Sequence, residues 1–304
     1  MVSSRVVQVF LYAICILIAP AIAVPGFFHN YSCSDKEGNY KVYTSNNSAY
    51  KANIIHLLSS LNSSSTGIDN GFYNLSYGES PEKVYAIALC RGDVKPDDCR
   101  NCIDLSKDVL PTQLCPNQKE AIVWYENCML RYSNRTIFST MEDTPERSWP
   151  NEEDSSDEGK VEFRQQLLSL LQNLTDEAAA GGSLRKFAVG HAPVPAQRFQ
   201  TIYALVQCTP DLSHQDCKYC LSGTLQNYWK DNSWTIGMRV IRPSCNLRYE
   251  IHAFYDLTAE TPPPPPPPPG TSLASFVNVL FKISVFYFFY FLHLAELFVV
   301  TLPA

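Results

Sequence analysis

The sequence predicts an α+β protein made of two small tandem domains, each stapled by disulfides. Three observations carry that prediction: a repeat of cysteine-anchored segments, an even cysteine count behind an export signal, and helically spaced and alternating apolar segments in each repeat.

The repeat is the firmest of the three. Cys90, Cys99 and Cys102 form a Cys-x8-Cys-x2-Cys triplet, and Cys208, Cys217 and Cys220 repeat it. The lead-in Tyr85-Ala86-Ile87-Ala88-Leu89 matches Tyr203-Ala204-Leu205-Val206-Gln207, and the closing Cys128-Met129-Leu130-Arg131-Tyr132 matches Cys245-Asn246-Leu247-Arg248-Tyr249. Upstream, Leu57, Leu58 and Leu61 correspond to Leu170, Leu171 and Leu174. A duplication of one domain follows, over residues 27–140 and 161–255.

Each copy reads as two helices and several strands. Tyr50 to Leu61 and Phe163 to Leu174 carry apolar residues at helical spacing. A second helix is expected around Cys99 to Leu110, entered through Pro96-Asp97-Asp98, and around Cys217 to Trp229. In the final segment Leu247, Tyr249 and Ile251 alternate with Arg248, Glu250 and His252, the pattern of a half-buried strand with a polar face.

The start of the chain sets the compartment. Arg5, the apolar stretch Val6 to Ala19 and the small-x-small site Ala21-Ile22-Ala23 predict a signal peptide over residues 1–23. Cleavage removes Cys15, and the 11 cysteines become ten, an even number entering an oxidising compartment. Asn30, Asn46, Asn62, Asn74, Asn134 and Asn173 each begin an Asn-x-Ser/Thr sequon, consistent with export and glycosylation. Asn46, Asn62 and Asn74 lie in Ser/Asn/Gly-rich stretches expected as exposed loops or helix ends. A net charge of −6 gives no electrostatic footprint for nucleic acid.

Between the copies, residues 141–160 read as an acidic, exposed linker leading into the start of the second copy, with eight acidic residues from Glu142 to Glu158 and prolines at Pro145 and Pro150. Within residues 259–270, Pro262 to Pro269 form a stiff polyproline spacer. The apolar tail at 273–302 holds Lys282, His293 and Glu296, and its longest stretch without Lys or Glu, Ile283 to Ala295, has 13 residues against about 20 for a clean membrane span. The tail suits a weak membrane anchor with the two charges toward the ends of a tilted helix. A lipid-anchor signal from Gly270-Thr271-Ser272 and a product of a misplaced reading frame remain open beside it.

Cys-x2-Cys spacing also suits zinc, but a secreted, glycosylated chain oxidises its thiols, so disulfides are expected and no metal or other cofactor. Six cysteines in the first copy allow 15 pairings, and spacing does not choose among them. The triplet, the closing Cys-x2-Arg-Tyr and the tandem layout resemble the plant ginkbilobin-like (stress-antifungal) domain. Tandem copies of it form the ectodomains of cysteine-rich receptor-like kinases, the plasmodesmata-located proteins and the cysteine-rich repeat secretory proteins. The resemblance implies an antiparallel sheet packed by two helices in each copy. It also implies the pairs Cys33–Cys115, Cys90–Cys99 and Cys102–Cys128, then Cys208–Cys217 and Cys220–Cys245. The second copy lacks a counterpart of Cys33–Cys115, with Glu146 and a residue near Ser233 in those places. It is expected to make up that stability by packing on the first copy.

Founding members of the family bind mannose through an Asn, an Arg and a Glu. The matching positions in the first copy are Ser34, Ile122 and Ser133, none of the required type. In the second copy Arg239 and Glu250 match, while the Asn position falls near Arg147, a mismatch. A solvated strand pair, or Glu250 paired with Arg248, is the structural alternative for these two residues. No nucleophile elbow, phosphate loop or His-based constellation appears, so the chain is not read as an enzyme. Two function classes follow. One is an apoplastic, secreted or plasma-membrane-anchored, plant defence or stress protein that binds a mannose-type carbohydrate or a microbial ligand. The other is a receptor-type ectodomain or protein-interaction module, resembling a cysteine-rich receptor-like kinase cut short before its kinase, that engages receptor-like partner proteins without binding sugar.

Overall fold

The structure is a computed structural model that describes residues 29–33, 42, 48–62, 71–151, 159–195, 200–229 and 235–260. The signal peptide, the proline run and the apolar tail lie outside the described residues, as does Asn46.

The first sheet is formed by β1 (His29–Ser32), β2 (Phe72–Tyr77), β3 (Val84–Cys90), β4 (Ala121–Tyr125) and β5 (Cys128–Ser133), in the order β1-β4-β5-β3-β2. The second is formed by β6 (Arg147–Pro150), β7 (Lys186–Val194), β8 (Gln200–Cys208), β9 (Met238–Ile241) and β10 (Cys245–Glu250), in the order β6-β9-β10-β8-β7. All pairings are antiparallel, and the second order is the first with each strand replaced by its repeat counterpart. The two-copy α+β architecture read from the sequence is the architecture of the molecule.

Helices cover one face of each sheet. In the first domain, α1 (Ala49–Ser59) begins where the Ser48 hydroxyl accepts from the Lys51 amide at 3.2 Å. It buries Tyr50, Ile54, Leu57 and Leu58 on one stripe. The helix α2 (Pro96–Val109) opens with Pro96, Asp97 and Asp98, a residue order that suits the free amides of a first turn. In the second domain, α3 (Lys160–Ala180) buries Phe163, Leu167, Leu171, Leu174 and Ala178. The Lys186 ammonium closes its C-terminal end by donating to the carbonyls of Ala179 (3.0 Å) and Gly181 (2.6 Å). The fourth helix, α4 (His214–Trp229), follows Ser213, whose hydroxyl accepts from the Asp216 amide.

Cys90 lies opposite Cys128 on neighbouring strands, and Cys208 opposite Cys245. Neither pair is bonded across the sheet. Cys90 bonds Cys99 and Cys128 bonds Cys102, so α2 is tied to two central strands; Cys208–Cys217 and Cys220–Cys245 do the same for α4. The fifth bridge, Cys33–Cys115, ties the end of β1 to the π-helical turn Leu110–Leu114 that follows α2.

The opposite sheet faces are also covered. Over the first, Ile137 and Phe138 of the connecting segment pack with Ile87, Leu89, Ile122, Trp124 and Met129, joined by Ile241 and Trp149 of the second domain. Over the second, Phe254 and Tyr255 pack on Phe187, Val189 and Leu205. Phe138 meets Tyr85 edge-on, and Tyr255 meets Tyr203 in the same way at the matching position.

Two expectations are corrected. The acidic stretch 141–160 is more than linker: Arg147–Pro150 is β6, which pairs with β9, and Glu142 is buried, bonded to Arg131 and Arg135. The polar face of β10 is not solvated either. Glu250 is 7% exposed, enclosed by Asn151, Gly237 and Arg248, and Arg248 and Arg239 beside it are bonded to Glu126 of the first domain.

Candidate functional site

The two-residue turn between β4 and β5 carries Glu126 out of the first domain toward the outer face of the second sheet. Three guanidiniums converge on it. Glu126 Oε1 accepts from Arg91 (2.5 Å) and Arg248 (3.1 Å), and Oε2 accepts from Arg239 (2.6 Å). Arg91 follows β3, and its backbone amide donates to Asn127 of the same turn. Arg239 and Arg248 are cross-strand partners on β9 and β10, so the register places them side by side.

Two more carboxylates complete the network. Asp93 accepts from Arg91 at 2.6 and 2.9 Å, and Glu250 Oε1 accepts from Arg248 at 3.0 Å. Three cations thus face three anions, and the guanidinium faces are used as well, since Arg248 stacks 4.2 Å from the Phe254 ring centre. Burial lowers the pKa of Arg239, and the nearby Arg248 and Arg91 guanidiniums add to that, against the pull of Glu126. The group stays cationic, because a guanidinium does not deprotonate in a protein.

Strand register also locates the residue that the sequence alignment missed. Arg239 on β9 corresponds to Ile122 on β4, and Glu250 to Ser133, from their shared pairing with the central strands. Ser32 pairs with Ile122 and Trp149 pairs with Arg239, so Trp149 takes the place of Ser32. Pro150 then stands where Cys33 does, and Asn151 stands where Ser34 does. The expected counterparts, Glu146 and Arg147, lie four positions too early. The Asn is therefore present, and its Nδ2 donates to Glu250 Oε2 at 3.1 Å.

The second domain thus holds all three residue types, Asn151, Arg239 and Glu250, around one end of β6, β9 and β10. Gly237 makes room for two of them: a Cβ there would lie 2.2 Å from Glu250 Oε2 and 2.3 Å from Asn151 Nδ2. The Asn151 amide donates to the Gly237 carbonyl at 2.8 Å. Chemically the set can hydrogen-bond vicinal hydroxyls. Geometrically its groups are already satisfied from within the chain, Arg239 by the first domain and Glu250 by Asn151 and Arg248. The alternative of Glu250 paired with Arg248 is what the structure contains.

In the first domain Ile122 is buried in the apolar layer between the domains and Ser133 is buried within its sheet; Ser34 lies outside the described residues. Asn74 and Asn173 are exposed, and Asn30 and Asn134 are half-buried. Asn74 sits on β2, an edge strand, and not in a loop as expected. The side chain of Asn62 is outside the described residues. Among the described residues no cluster of His, Cys, Asp or Glu could hold a metal ion, and no helix is long and apolar enough to cross a membrane.

Further contacts join the domains around this network. Trp124 Nε1 donates to the Arg242 carbonyl (3.3 Å), and Gln207 Nε2 donates to the Cys90 carbonyl (2.9 Å). Ser139 N donates to Asp211 Oδ2 (2.7 Å), and Asp256 N donates to Asp93 Oδ2 (3.1 Å). Gly92 packs so close to Phe187 that a Cβ would meet the ring at 2.4 Å.

A family profile described as salt stress response/antifungal matches residues 32–135 and again 150–252. The chain is 43% identical over 228 residues to cysteine-rich receptor-like protein kinase 26 of Arabidopsis thaliana, covering 75% of this chain and 33% of that protein. It is 40% identical over 261 residues to cysteine-rich receptor-like protein kinase 29 of the same plant, covering 84% and 37%. The chain thus spans about a third of the length of these relatives. The fold matches the crystal structure of the tandem DUF26 ectodomain of the Arabidopsis thaliana cysteine-rich receptor-like protein PDLP8. That match has a TM-score of 0.59 and 21% identity, and covers 74% of this chain and 98% of the ectodomain. The PDLP5 ectodomain matches with a TM-score of 0.54 and 23% identity, covering 73% and 98%.

Proposed function

The chain belongs to the salt stress response/antifungal domain family as a tandem pair related to receptor-like kinase ectodomains, and from that premise we propose that it is an extracellular, non-enzymatic protein-interaction module. Its Arg239 and Glu250 serve as an interdomain clamp and not as a sugar site. The observation that carries this reading is the convergence of Arg91, Arg239 and Arg248 on Glu126. A monosaccharide would have to displace ion pairs already made inside the chain, and its neutral hydroxyls return weaker bonds than the carboxylate they replace. A clamp of this kind fixes the two domains as one rigid surface, which favours recognition of a protein over a single sugar ring.

The experiment titrates the secreted protein in two arms. One arm uses mannose and mannan. The other uses purified tandem ectodomains of receptor-like relatives from the same plant. Saturable binding in the second arm with none in the first is the expected result. Saturable mannan binding that Glu250→Ala abolishes overturns the proposal and restores the lectin reading.

A further inference from the structure

The two sheets protect their edges differently. An edge strand offers a row of unpaired amides and carbonyls to any second chain, so proteins blunt such edges with proline, charge or cover. The edges of the second sheet are β6 and β7. β6 ends in Pro150, and β7 contains Pro193.

The edges of the first sheet are β1 and β2, and neither contains a proline. Each instead has an exposed aromatic, Tyr31 at 43% and Tyr77 at 42%. Each also carries a complete sequon within the strand: Asn30-Tyr31-Ser32 on β1 and Asn74-Leu75-Ser76 on β2. Among the described residues these are the two sequons on strands, and both fall on the edges that have no proline. Asn74 is the better placed, being exposed where Asn30 is half-buried. Register equates Asn74, opposite Ile87, with Val189, opposite Leu205, and Val189 is covered by Tyr255. The second domain buries this position under its own chain, whereas the first leaves it open at a glycan acceptor.

We propose that Asn74 carries an N-linked glycan that shields the β2 edge from pairing with a second copy of this chain. The donor is a lipid-pyrophosphate-linked oligosaccharide of the secretory route. The bond from sugar C1 to the pyrophosphate oxygen breaks and the bond from C1 to Asn74 Nδ2 forms. Nδ2 gives up one proton, and the lipid pyrophosphate leaves with the bonding electrons. The glycan stands at the β2 edge on the sheet face away from the helices, the face of Ile87, while Tyr77 stacks on His56 of α1 on the other face, so an approaching strand would have to pass the glycan. This inference rests on passage through the secretory route, as the extracellular reading does.

The test expresses the full chain in a plant secretory host. Glycopeptide mapping gives occupancy at each sequon, and light scattering gives the mass in solution. Asn74 is expected to be occupied and the protein monomeric. Asn74→Gln, or Ser76→Ala should the first variant not be secreted, is expected to tighten self-association at least tenfold. Enzymatic removal of glycans from the folded wild type should act in the same direction. Asn173→Gln on α3 loses equal glycan mass and should stay monomeric, and Tyr77→Lys added to Asn74→Gln should restore the monomer. An unmodified Asn74 beside an occupied Asn173 overturns the proposal, as does an association state that Asn74→Gln and Asn173→Gln share. No glycan at any sequon would overturn it together with the secretory reading, which separates that failure from failure of the shield alone.

Discussion

The two domains share a strand order and two helix staples, and they differ in how the first strand of each sheet is held. In the first domain the end of β1 is pinned covalently by Cys33–Cys115, a bridge spanning 82 residues of chain. In the second domain the same position is Pro150, and the pin is non-covalent. Asn151 bonds the Gly237 carbonyl and the Glu250 carboxylate, and Trp149 packs into the apolar layer between the domains. Glu146, just before β6, bonds Arg242 at 2.6 Å, and Arg242 also donates to the Cys220 carbonyl. The domain without the third disulfide therefore secures its first strand with polar contacts and with surface lent by its neighbour. The first domain is built to stand by its own staples, and the second is built against the first.

The largest effect expected from this difference comes from removing the covalent pin. Cys33→Ser with Cys115→Ser should cost about 4.5 kcal/mol, by the loop-closure estimate for a bridge of this span. Denaturant unfolding gives the loss, and hydrogen exchange should locate it first in β1 and in the turn after α2. Equal loss of protection in β6 and β9 would mean that the two domains unfold as one unit and that the bridge does not set the first domain apart.

Glu126→Ala attacks the other side of the comparison. It leaves three guanidiniums facing one another across the domain boundary, with only Asp93 and Glu250 to balance them. Removing one partner of a buried pair costs about 3–5 kcal/mol; with its side chain 22% exposed, Glu126 should cost about 3 kcal/mol. The loss should concentrate in the second domain, where Arg239 and Arg248 reside. Hydrogen exchange on β9 and β10 measures it, and a loss confined to the first domain would contradict the clamp.

How much of this was legible in the sequence follows from what anchored each reading. The cysteine triplets fix the strand before each of α2 and α4, and apolar spacing finds α1 and α3, so the duplication and the helices came through. The strand β6 did not, because Glu142 to Glu158 has the composition of a solvated linker. Trp149 was the one residue in it that asked for burial. Asn151 was missed for a related reason. From Cys33 to Tyr50 is 17 positions, and from Pro150 to Phe163 is 13, so the loop before the helix is four residues shorter in the second copy. Aligning backward from the helix lands on Glu146, and with no cysteine in β6 nothing in the sequence corrected it. Aligning from Cys245 outward, with one offset for all of β6, β9 and β10, would have reached Asn151. Solvent exposure on β10 was unreadable too, since alternation marks a polar face without saying which domain covers it.

A smaller effect tests the polar pin directly. Gly237→Ala puts a methyl group against Glu250 and Asn151, and overpacking of this kind costs about 1–3 kcal/mol. Asn151→Ala should weaken the same strand end with no clash. If the pin holds β6 in place, the two variants should lose exchange protection at the Trp149 amide in common and differ in size. A protected Trp149 in both would leave the interdomain apolar layer as the sole anchor.

The smallest expected effect is a change of slope with acid. Glu142 sits in the segment joining the domains, its amide and carbonyl both bonded to Ser244 and its carboxylate bonded to Arg131 and Arg135. Burial works to raise its pKa, but the Arg135 and Arg131 guanidiniums together outweigh burial and hold it below the usual carboxylate range. A carboxyl whose pKa is lower folded than unfolded binds more protons in the unfolded state. Its contribution is therefore complete above the unfolded carboxylate pKa and is lost as pH falls through the folded one. Stability should thus decline on acidification below the ordinary range for Glu, and Glu142→Gln should flatten that decline after its own cost at neutral pH is subtracted. Unfolding free energies at a series of acidic pH values, for wild type and Glu142→Gln, read the two slopes. Parallel slopes would mean that Glu142 binds protons equally in both states. The link between the domains would then owe its hold to the Ser244 bonds and to the packing of Ile137 and Phe138, with no contribution from this carboxylate's charge.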